Sequence, residues 1–205
     1  MGNWFENKSK GILKRIGFVK NNKNKEALRI KALRIKQESD AVRWSRQDVF
    51  HQNWKERTLI LSKFIKDNCS VVEFGAGNAI LKDNLNASIR YQPVDVVKRT
   101  EAFMVYDLNS SPFTFDLTPY DIVIFSGVLE YVYTIETVFE ELSKCISTVL
   151  MSYACSDVCS KDRLTNGWLS DYSVSQLETI FGTYGYKIHH SQMWRDQNIF
   201  VLLKQ

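Results

Sequence analysis

The sequence has no run of about 20 consecutive apolar residues, the length that a membrane-spanning helix requires. It also has no short apolar segment near the N-terminus followed by a small-residue cleavage site, which would mark a secretory signal. The four cysteines lack the paired spacing of a metal site, and no histidine lies near the closest pair, Cys155 and Cys159. We therefore expect a cytoplasmic protein with free thiols and no metal site.

Acidic residues are scarce at the start of the chain. Residues 1–36 contain eleven lysines and arginines against Glu6 and Glu26, a net charge of +9, and because the whole chain carries +4, residues 37–205 carry −5. Between Trp4 and Lys20 the cations alternate with large apolar residues. This basic amphipathic pattern suits an anionic membrane surface or a polyanion. It also suits a solvated helical arm that packs on the rest of the chain or on a second subunit.

Length and composition predict one folded domain with an N-terminal extension. A chain of 205 residues with 44% hydrophobic content can bury a sizeable core. We divide it into a basic arm (1–25), a helical extension (26–55) and a main domain (56–205). The polar stretch Lys20–Lys25 predicts a hinge, and the residues from Glu26 to about Asn53 predict a longer helical segment.

Residues Val71–Asn78 predict a buried strand that ends in a glycine turn. Gly75 and Gly77 permit a tight turn and a close backbone approach to a ligand such as a nucleotide. A dinucleotide fingerprint, G-x-G-x-x-G, also lies between a strand and a helix, but it needs a third glycine where this chain has Ile80. The acid Glu73, two residues before the first glycine, favours a different kind of nucleotide turn.

Two further units follow the glycine turn. A helix-sized segment, Ala79–Leu85, precedes the short strand Tyr91–Asp95. Asp95 lies about 20 residues beyond the turn, where α/β nucleotide sites place a carboxylate for ribose hydroxyls; the alternative is an aspartate in a surface loop. The next apolar stretch, Phe103–Asn109, ends in Asp-Leu-Asn.

A fourth unit, Asp121–Val132, begins with an acid and continues as a buried strand. The small residues Ser126 and Gly127 end this strand, and Val-Leu-Glu-Tyr begins the next helix. Small residues at the carboxyl end of a parallel strand leave an open crevice for a ligand.

The four units, in this order, resemble the motifs of class I S-adenosylmethionine-dependent methyltransferases. The resemblance covers about residues 56–205, with its specific motifs between 71 and 132. It implies an α/β fold: a Rossmann-like, doubly wound, mostly parallel seven-stranded sheet with a C-terminal antiparallel pair. It also implies S-adenosylmethionine as cofactor. Asp107 lies at the strand end where members of this family commonly place an acid that faces the adenine amino group. The implied cofactor-binding residues are Glu73, Gly75, Ala76, Gly77, Asp95, Asp107, Leu108, Ser126, Gly127 and Val128.

The remaining sequence fits this architecture. We predict a helix over Ile135–Lys144, a strand over Cys145–Tyr153 and a helix over Ser173–Tyr184, with Ser173 as its N-cap and Gly185 as its terminator. Two closing strands, Tyr186–Gln192 and Asn198–Lys204, are separated by a short polar turn.

Methyl transfer depends largely on positioning, and a hydroxyl acceptor also benefits from a general base. The candidates are Glu130 and Tyr131 after the fourth strand, and one of His189 and His190, which should face opposite sides of their strand. We retain His190. Some relatives have a histidine where this chain has Tyr131, and this departure argues against a histidine base at that position.

The long polar segment from Tyr153 to Tyr172 lies where this family usually builds the substrate wall. Its Arg163, Trp168 and Tyr172 could hold a hydroxylated ligand, and Arg43 in the extension could contact an anionic group. The alternative is a capping loop whose aromatic residues close the core. The segment more loosely resembles small bacterial methyltransferases of surface-polysaccharide or sugar-nucleotide pathways.

We therefore expect methyl transfer to a small acceptor, a hydroxyl of a sugar, sugar nucleotide or glycan precursor. Two alternatives stay open. One is an RNA or other nucleic-acid methyltransferase that uses the basic arm, although residues 37–205 are net acidic and contain no recognisable RNA-binding module. The other is a noncatalytic scaffold that retains the fold. The oligomeric state does not follow from the sequence.

Overall fold

A computed structural model describes residues 24–205. Its centre is one seven-stranded sheet with the strand order β3-β2-β1-β4-β5-β7-β6. The first five strands run parallel, and β7 runs antiparallel between β5 and β6. This confirms the predicted Rossmann-like class with its C-terminal antiparallel pair. The strands are β1 Ser70–Phe74, β2 Arg90–Asp95, β3 Met104–Val105, β4 Ile122–Ser126, β5 Thr148–Tyr153, β6 Tyr186–Trp194 and β7 Gln197–Lys204.

Helices cover both faces of the sheet, and short helical turns connect to its strand ends. The α-helices are α1 (24–36), α2 Ala41–Trp44, α3 Trp54–Ser62, α4 Ile135–Cys145, α5 Arg163–Asn166 and α6 Val174–Thr183. Single 3₁₀ turns occupy Gln47–Val49, Lys82–Asn84 and Leu129–Tyr131. Within residues 24–205, no helix combines the length and apolarity that crossing a bilayer requires.

The core has two layers because successive strand residues point to opposite faces of the sheet. In β4, Val123 and Phe125 join the layer under α4 and α6, whereas Ile122 and Ile124 join the layer under α3. Helix α4 places Ile135, Val138, Phe139 and Leu142 on one buried stripe, the spacing that a 3.6-residue period requires. The sheet is therefore covered on both faces, and the open ends of its strands are left for a site.

Helix α6 begins as its sequence indicates. The Ser173 side chain accepts a hydrogen bond from the Gln176 backbone N–H, and the Gln176 side chain accepts one from the Ser173 N–H. This capping box satisfies two N–H groups that would otherwise lack partners. At the other end Gly185, with φ +76°, terminates the helix as predicted.

Two helix predictions were wrong. Over Ala79–Leu85 only one 3₁₀ turn forms, because Ala79 has φ +51° and the Asn84 side chain donates to the Ile80 carbonyl, which favours turns. The extension is not one helix either. Helix α1 ends at Gln37, with φ +54°, and Asp40 then caps the separate helix α2.

Of the predicted N-terminal arm and hinge, only the last two residues are among those that the structure describes. Residues 24 and 25 of the predicted hinge lie within α1. The rest of the hinge and the basic arm lie outside the described residues.

We expect Phe139→Ala to destabilise the fold by about 3–5 kcal/mol, because it removes a fully buried ring and leaves a cavity. The ring packs against Phe181 and Tyr186, with centroid distances of 5.2 and 5.8 Å. Urea unfolding would measure the change. The control is Leu203→Ala on β7, which is 37% exposed and should cost about 1 kcal/mol or less. Equal losses in the two variants would contradict the packing described here.

Candidate active site

A pocket of about 480 Å³ opens where the carboxyl ends of β1, β2, β3 and β4 meet. Parallel strands bring their carboxyl ends to one edge of the sheet, so residues that are distant in sequence share this pocket. The structure brings all ten residues implied as cofactor-binding to its lining: Glu73, Gly75, Ala76, Gly77, Asp95, Asp107, Leu108, Ser126, Gly127 and Val128.

The glycine turn after β1 has a backbone that only glycine adopts easily. Gly75 and Gly77 have φ values of +61° and +56°. A Cβ at Gly75 would lie 2.5 Å from Val128 Cγ2, and one at Gly77 would lie 2.9 Å from the Phe50 ring. The turn therefore forms a cradle that a side chain would fill.

Asp95 fastens this turn. Its Oδ2 accepts the Gly77 N–H at 2.9 Å and Arg99 Nε at 3.4 Å, and its Oδ1 accepts the Val97 N–H at 3.2 Å. A carboxylate accepts about four hydrogen bonds, so capacity for one further donor remains. Asp95 is thus a buried structural acid that can still accept a ligand hydroxyl, and not the surface-loop aspartate of the alternative.

Residues 37–53, which we call the covering segment, lie over one side of the pocket. Ser39 donates to Asp107 Oδ1 at 2.6 Å, and Asn109 Nδ2 donates to Ser39 Oγ at 2.7 Å. Trp44 and Phe50 line the pocket beside them. The acid expected to face an adenine amino group is therefore held in place by this segment.

Arg99 connects the covering segment to the strand ends. Its NH2 donates to the Trp44 carbonyl at 2.8 Å, its guanidinium lies 4.6 Å from the Phe50 ring centroid, and it forms an ion pair with Asp95. No motif in the sequence indicates this role of Arg99, because two of its partners, Trp44 and Phe50, lie in a segment about 50 residues earlier in the chain.

Glu73 is a buried acid, only 3% exposed, on the pocket wall. It accepts a hydrogen bond from the Tyr91 hydroxyl at 2.5 Å. Burial raises the pKa of Glu73 to about 7, since the hydrogen bond from Tyr91 only partly offsets the loss of solvent. Its charge therefore changes near neutral pH.

Arg57 on α3 is another pocket residue that the sequence analysis missed. Its Nε and NH2 donate to Ser126 Oγ and to the Ser126 carbonyl at 3.1 and 2.7 Å, and its NH1 donates to Gln197 Oε1 at 2.8 Å. The guanidinium lies 5.7 and 5.5 Å from the ring centroids of Trp54 and Trp194. Desolvation lowers the pKa of Arg57. A Cβ at Gly127 would overlap this guanidinium, which explains the glycine at the end of β4.

A second pocket of about 530 Å³ lies on the other side of Arg57. It shares part of its wall with the first pocket, namely His51, Trp54, Arg57, Gly127 and Tyr131. The rest of its lining is mostly charged, amide or aromatic, namely Glu26, Arg43, Arg46, Asp48, Val49, Asn53, Glu130, Lys161, Asn166, Trp168, Trp194, Arg195, Asp196 and Gln197.

Four of the predicted catalytic and substrate residues meet at the second pocket: Arg43, Glu130, Tyr131 and Trp168. Tyr131 also lines the first pocket, and its ring packs edge-on against Trp44 with a centroid distance of 4.7 Å. Burial raises the pKa of Tyr131 to about 12, so its hydroxyl stays protonated at neutral pH.

The other three, His190, Arg163 and Tyr172, line neither pocket. Arg163 donates to the Ala154 and Ser170 carbonyls, and Tyr172 donates to Glu136. His190 packs on Phe64, away from the strand ends that form the site, because a register shift between Ile188 and His190 alters the side-chain alternation of β6. These contacts fit the capping-loop alternative for Arg163 and Tyr172, and we do not retain the three as ligand contacts.

No metal site competes with this arrangement in the part of the chain that the structure describes, where no three metal-ligating side chains cluster. The four cysteines are free thiols.

The buried Glu73 should make the stability of the fold depend on pH. Glu73 has a pKa of about 7 in the folded chain against an ordinary value of 4.5. Between pH 4.5 and 7, Glu73 therefore keeps its proton in the folded state but loses it in the unfolded state. The free energy of unfolding should fall as the pH rises through this range. A shift of this size corresponds to about 3 kcal/mol. Urea unfolding across this range should show a smaller decline in Glu73→Gln.

The matched control is Glu101→Gln, whose side chain is 93% exposed. Its pH dependence should equal that of the wild type. A Glu73→Gln variant that keeps the full decline would show that another group is responsible.

The substitution Gly127→Ala adds a side chain at φ +67° and displaces the Arg57 guanidinium. We expect a loss of about 2 kcal/mol or more in unfolding free energy. Gly182→Ala in α6 is the control, because nothing lies within 4 Å of the added carbon, and a helical alanine should gain up to about 1 kcal/mol. A neutral Gly127→Ala would contradict the close approach of Arg57.

Comparison with known proteins finds no family model and no curated protein that matches this sequence. Solved structures do match. The Burkholderia thailandensis 1,6-didemethyltoxoflavin-N1-methyltransferase is similar, with a TM-score of 0.58, 14% identity, and coverage of 75% of this chain and 79% of its own. A chain in the complex of the Haloferax volcanii Trm112 methyltransferase activator with the putative methyltransferase is also similar. Its TM-score is 0.61 at 14% identity, and the match covers 85% of this chain and 97% of that one.

The N-terminal domain of EvdMO1, crystallised in the presence of S-adenosylhomocysteine (SAH) and D-fucose, gives a TM-score of 0.50 and 13% identity, with coverage of 76% and 83%. At such identities a structural likeness establishes the fold and not the activity. The chain has the Rossmann-like fold of S-adenosylmethionine-dependent methyltransferases.

Proposed function

We propose that this chain is an S-adenosylmethionine-dependent methyltransferase whose acceptor is a hydroxyl of a small molecule: a sugar, a sugar nucleotide or a glycan precursor. One observation carries the proposal. The acids and small residues at the ends of four parallel strands, picked out by their order in the sequence, converge on one pocket. A chain that used this fold only as a scaffold would have no physical need for that convergence.

The residues of the first pocket fit the cofactor. Gly75 and Gly77 line the first pocket without side chains, so their backbone faces it directly, and Val128 and Phe50 leave no space for a side chain at either position. Asp95 has capacity for a ribose hydroxyl, and Asp107 Oδ2, which accepts no hydrogen bond from the described residues, is left for an adenine amino group. The backbone from Ser126 to Val128 would bound the methionine part. When bound, S-adenosylmethionine supplies a methyl group already activated by its sulfonium.

The protein's own contribution is placement and the exclusion of water. The covering segment and Tyr131 line one side of the first pocket, and His51, Trp54, Arg57, Gly127 and Tyr131 line both pockets. Holding an acceptor and a reactive methyl group in line supplies much of the rate enhancement of such a transfer.

Two solved structures guide the choice of acceptor. One similar protein was crystallised with 1,6-didemethyltoxoflavin, a flat heterocycle, and another in the presence of D-fucose, a sugar. We favour a sugar because the second pocket presents many charged and amide groups, whereas a flat heterocycle would be served by apolar walls.

Titration calorimetry of the full chain with S-adenosylmethionine and with SAH tests the cofactor. We expect micromolar binding to the wild type. Gly75→Leu should abolish binding because its side chain would fill the cradle. Asp95→Ala should weaken binding about tenfold or more, since it removes hydrogen bonds to a charged group. Gly182→Ala, far from the pocket, should bind like the wild type. Binding that survives in both Gly75→Leu and Asp95→Ala would overturn the proposed site.

A further inference from the structure

Glu130 has a buried carboxylate with an unused oxygen. The residue is 0% exposed, and its Oε1 accepts the Ala154 N–H at 2.8 Å and Gln197 Nε2 at 3.2 Å. No described protein group donates to its Oε2. A buried acceptor without a donor costs about 1–3 kcal/mol, so this oxygen favours a ligand that brings one. Glu130 belongs to the wall of the second pocket.

A hydrogen-bonded chain fixes the orientation of this carboxylate. Gln197 accepts from Arg57 NH1 through its carbonyl and donates to Glu130 Oε1 through its amide nitrogen. Gln197 therefore links a buried cation to a buried anion without direct contact between them. Arg57 also borders both pockets, so the chain runs from their shared wall to Oε2.

The charges around the second pocket are balanced. Arg43 pairs with Glu26 at 3.3 Å, Arg46 with Asp48 at 2.5 Å, and Lys161 with Asp196 at 2.6 Å. The Arg46–Asp48 and Lys161–Asp196 pairs are solvent-exposed, and such pairs contribute little to stability, so these groups can turn towards a ligand at low cost. A hydroxyl both donates and accepts hydrogen bonds and suits such a mixed rim, whereas a polyanion would meet the carboxylates.

Aromatic rings supply the remaining surface. Trp54, Trp168 and Trp194 line the pocket, and two of them flank Arg57. Indole rings offer large apolar faces with a polar edge, which suits a ring that is apolar on its faces and polar at its rim. A sugar ring has this form.

We propose that the second pocket binds the acceptor as a hydroxyl-rich sugar ring, and that Glu130 Oε2 accepts the proton of the hydroxyl that is methylated. This rests on the proposed function. In the transfer, the acceptor oxygen forms a bond to the methyl carbon and the bond between that carbon and sulfur breaks. The electron pair of the broken bond stays on sulfur, which leaves a neutral thioether, and the hydroxyl proton passes to Glu130. Burial raises the pKa of Glu130, and the charges of Arg57 and Arg163 offset this only in part.

The test begins with calorimetry of the full-length wild type, Glu130→Gln and Trp194→Leu with SAH. All three should bind it equally, because these side chains lie outside the first pocket. Failure of the wild type to bind would refute the proposed function itself. Binding that is lost only in Glu130→Gln would show a structural role and overturn the assignment of this residue.

The second stage measures transfer of labelled methyl from S-adenosylmethionine to D-fucose, D-glucose and uridine-diphosphate hexoses. We expect at least one to be methylated, with kcat at least a hundredfold lower in Glu130→Gln and KM for the sugar within about twofold. The wild-type rate should fall at acidic pH as Glu130 takes up a proton, and the variant should lack this fall. Glu101→Gln serves as the control for the substitution and should match the wild type.

Trp194→Leu should raise KM severalfold with kcat little changed, because it removes ring contact at the rim and not the base. This variant and the wild-type pH profile test the proposal even if Glu130→Gln does not fold. An unchanged kcat in a folded Glu130→Gln, or a wild-type rate that does not depend on pH, overturns the role of Glu130. An unchanged KM in Trp194→Leu, or SAH binding without methylation of any sugar tested, overturns the second pocket as the sugar site.

Discussion

The buried guanidinium of Arg57 is the interaction on which the site depends. A cation removed from water costs several kcal/mol unless its N–H groups find acceptors. Here the acceptors come from the end of β4 and the start of β7, so satisfying one side chain fixes α3 against two strands of the sheet. The same requirement explains the absence of a side chain at Gly127. The wall between the two pockets is therefore a consequence of solvating one charge with protein groups.

The ten residues predicted to bind the cofactor all line the first pocket, and a sequence can bring such residues together because its information there is local. Each strand end carries its own acid or small residue, and the parallel sheet then gathers these ends at one edge without further instruction. The second pocket is different. Arg57 bonds to residues 69 and 140 positions away, and nothing in the segment Trp54–Ser62 indicates those partners. Gln197 and Glu130 are likewise 67 positions apart in the sequence, and neither segment carries a pattern that indicates their hydrogen bond.

The errors in secondary structure have a common cause. Ala79–Leu85 and the extension were assigned by composition and periodicity, which do not register a single residue at positive φ. Ala79 and Gln37 each adopt that conformation and divert the chain. For the adjacent histidines of β6, alternation alone does not fix the face that His190 takes, because the register of the strand shifts between Ile188 and His190. Arg163 was expected to meet a ligand, but its donors are used by backbone carbonyls of the same loop, a choice that only the folded loop reveals.

The covering segment has a kinetic consequence. It is attached through Ser39 to Asp107, through the Trp44 carbonyl to Arg99, and through the Glu38 carbonyl to the Tyr133 hydroxyl. Each of these is an ordinary hydrogen bond, worth about 0.5–1.5 kcal/mol on average and more where a charged group takes part. A wider opening on this side of the pocket requires these bonds to break together. Under the proposed function, opening of residues 37–53 would be a step of cofactor exchange that is separate from the transfer itself.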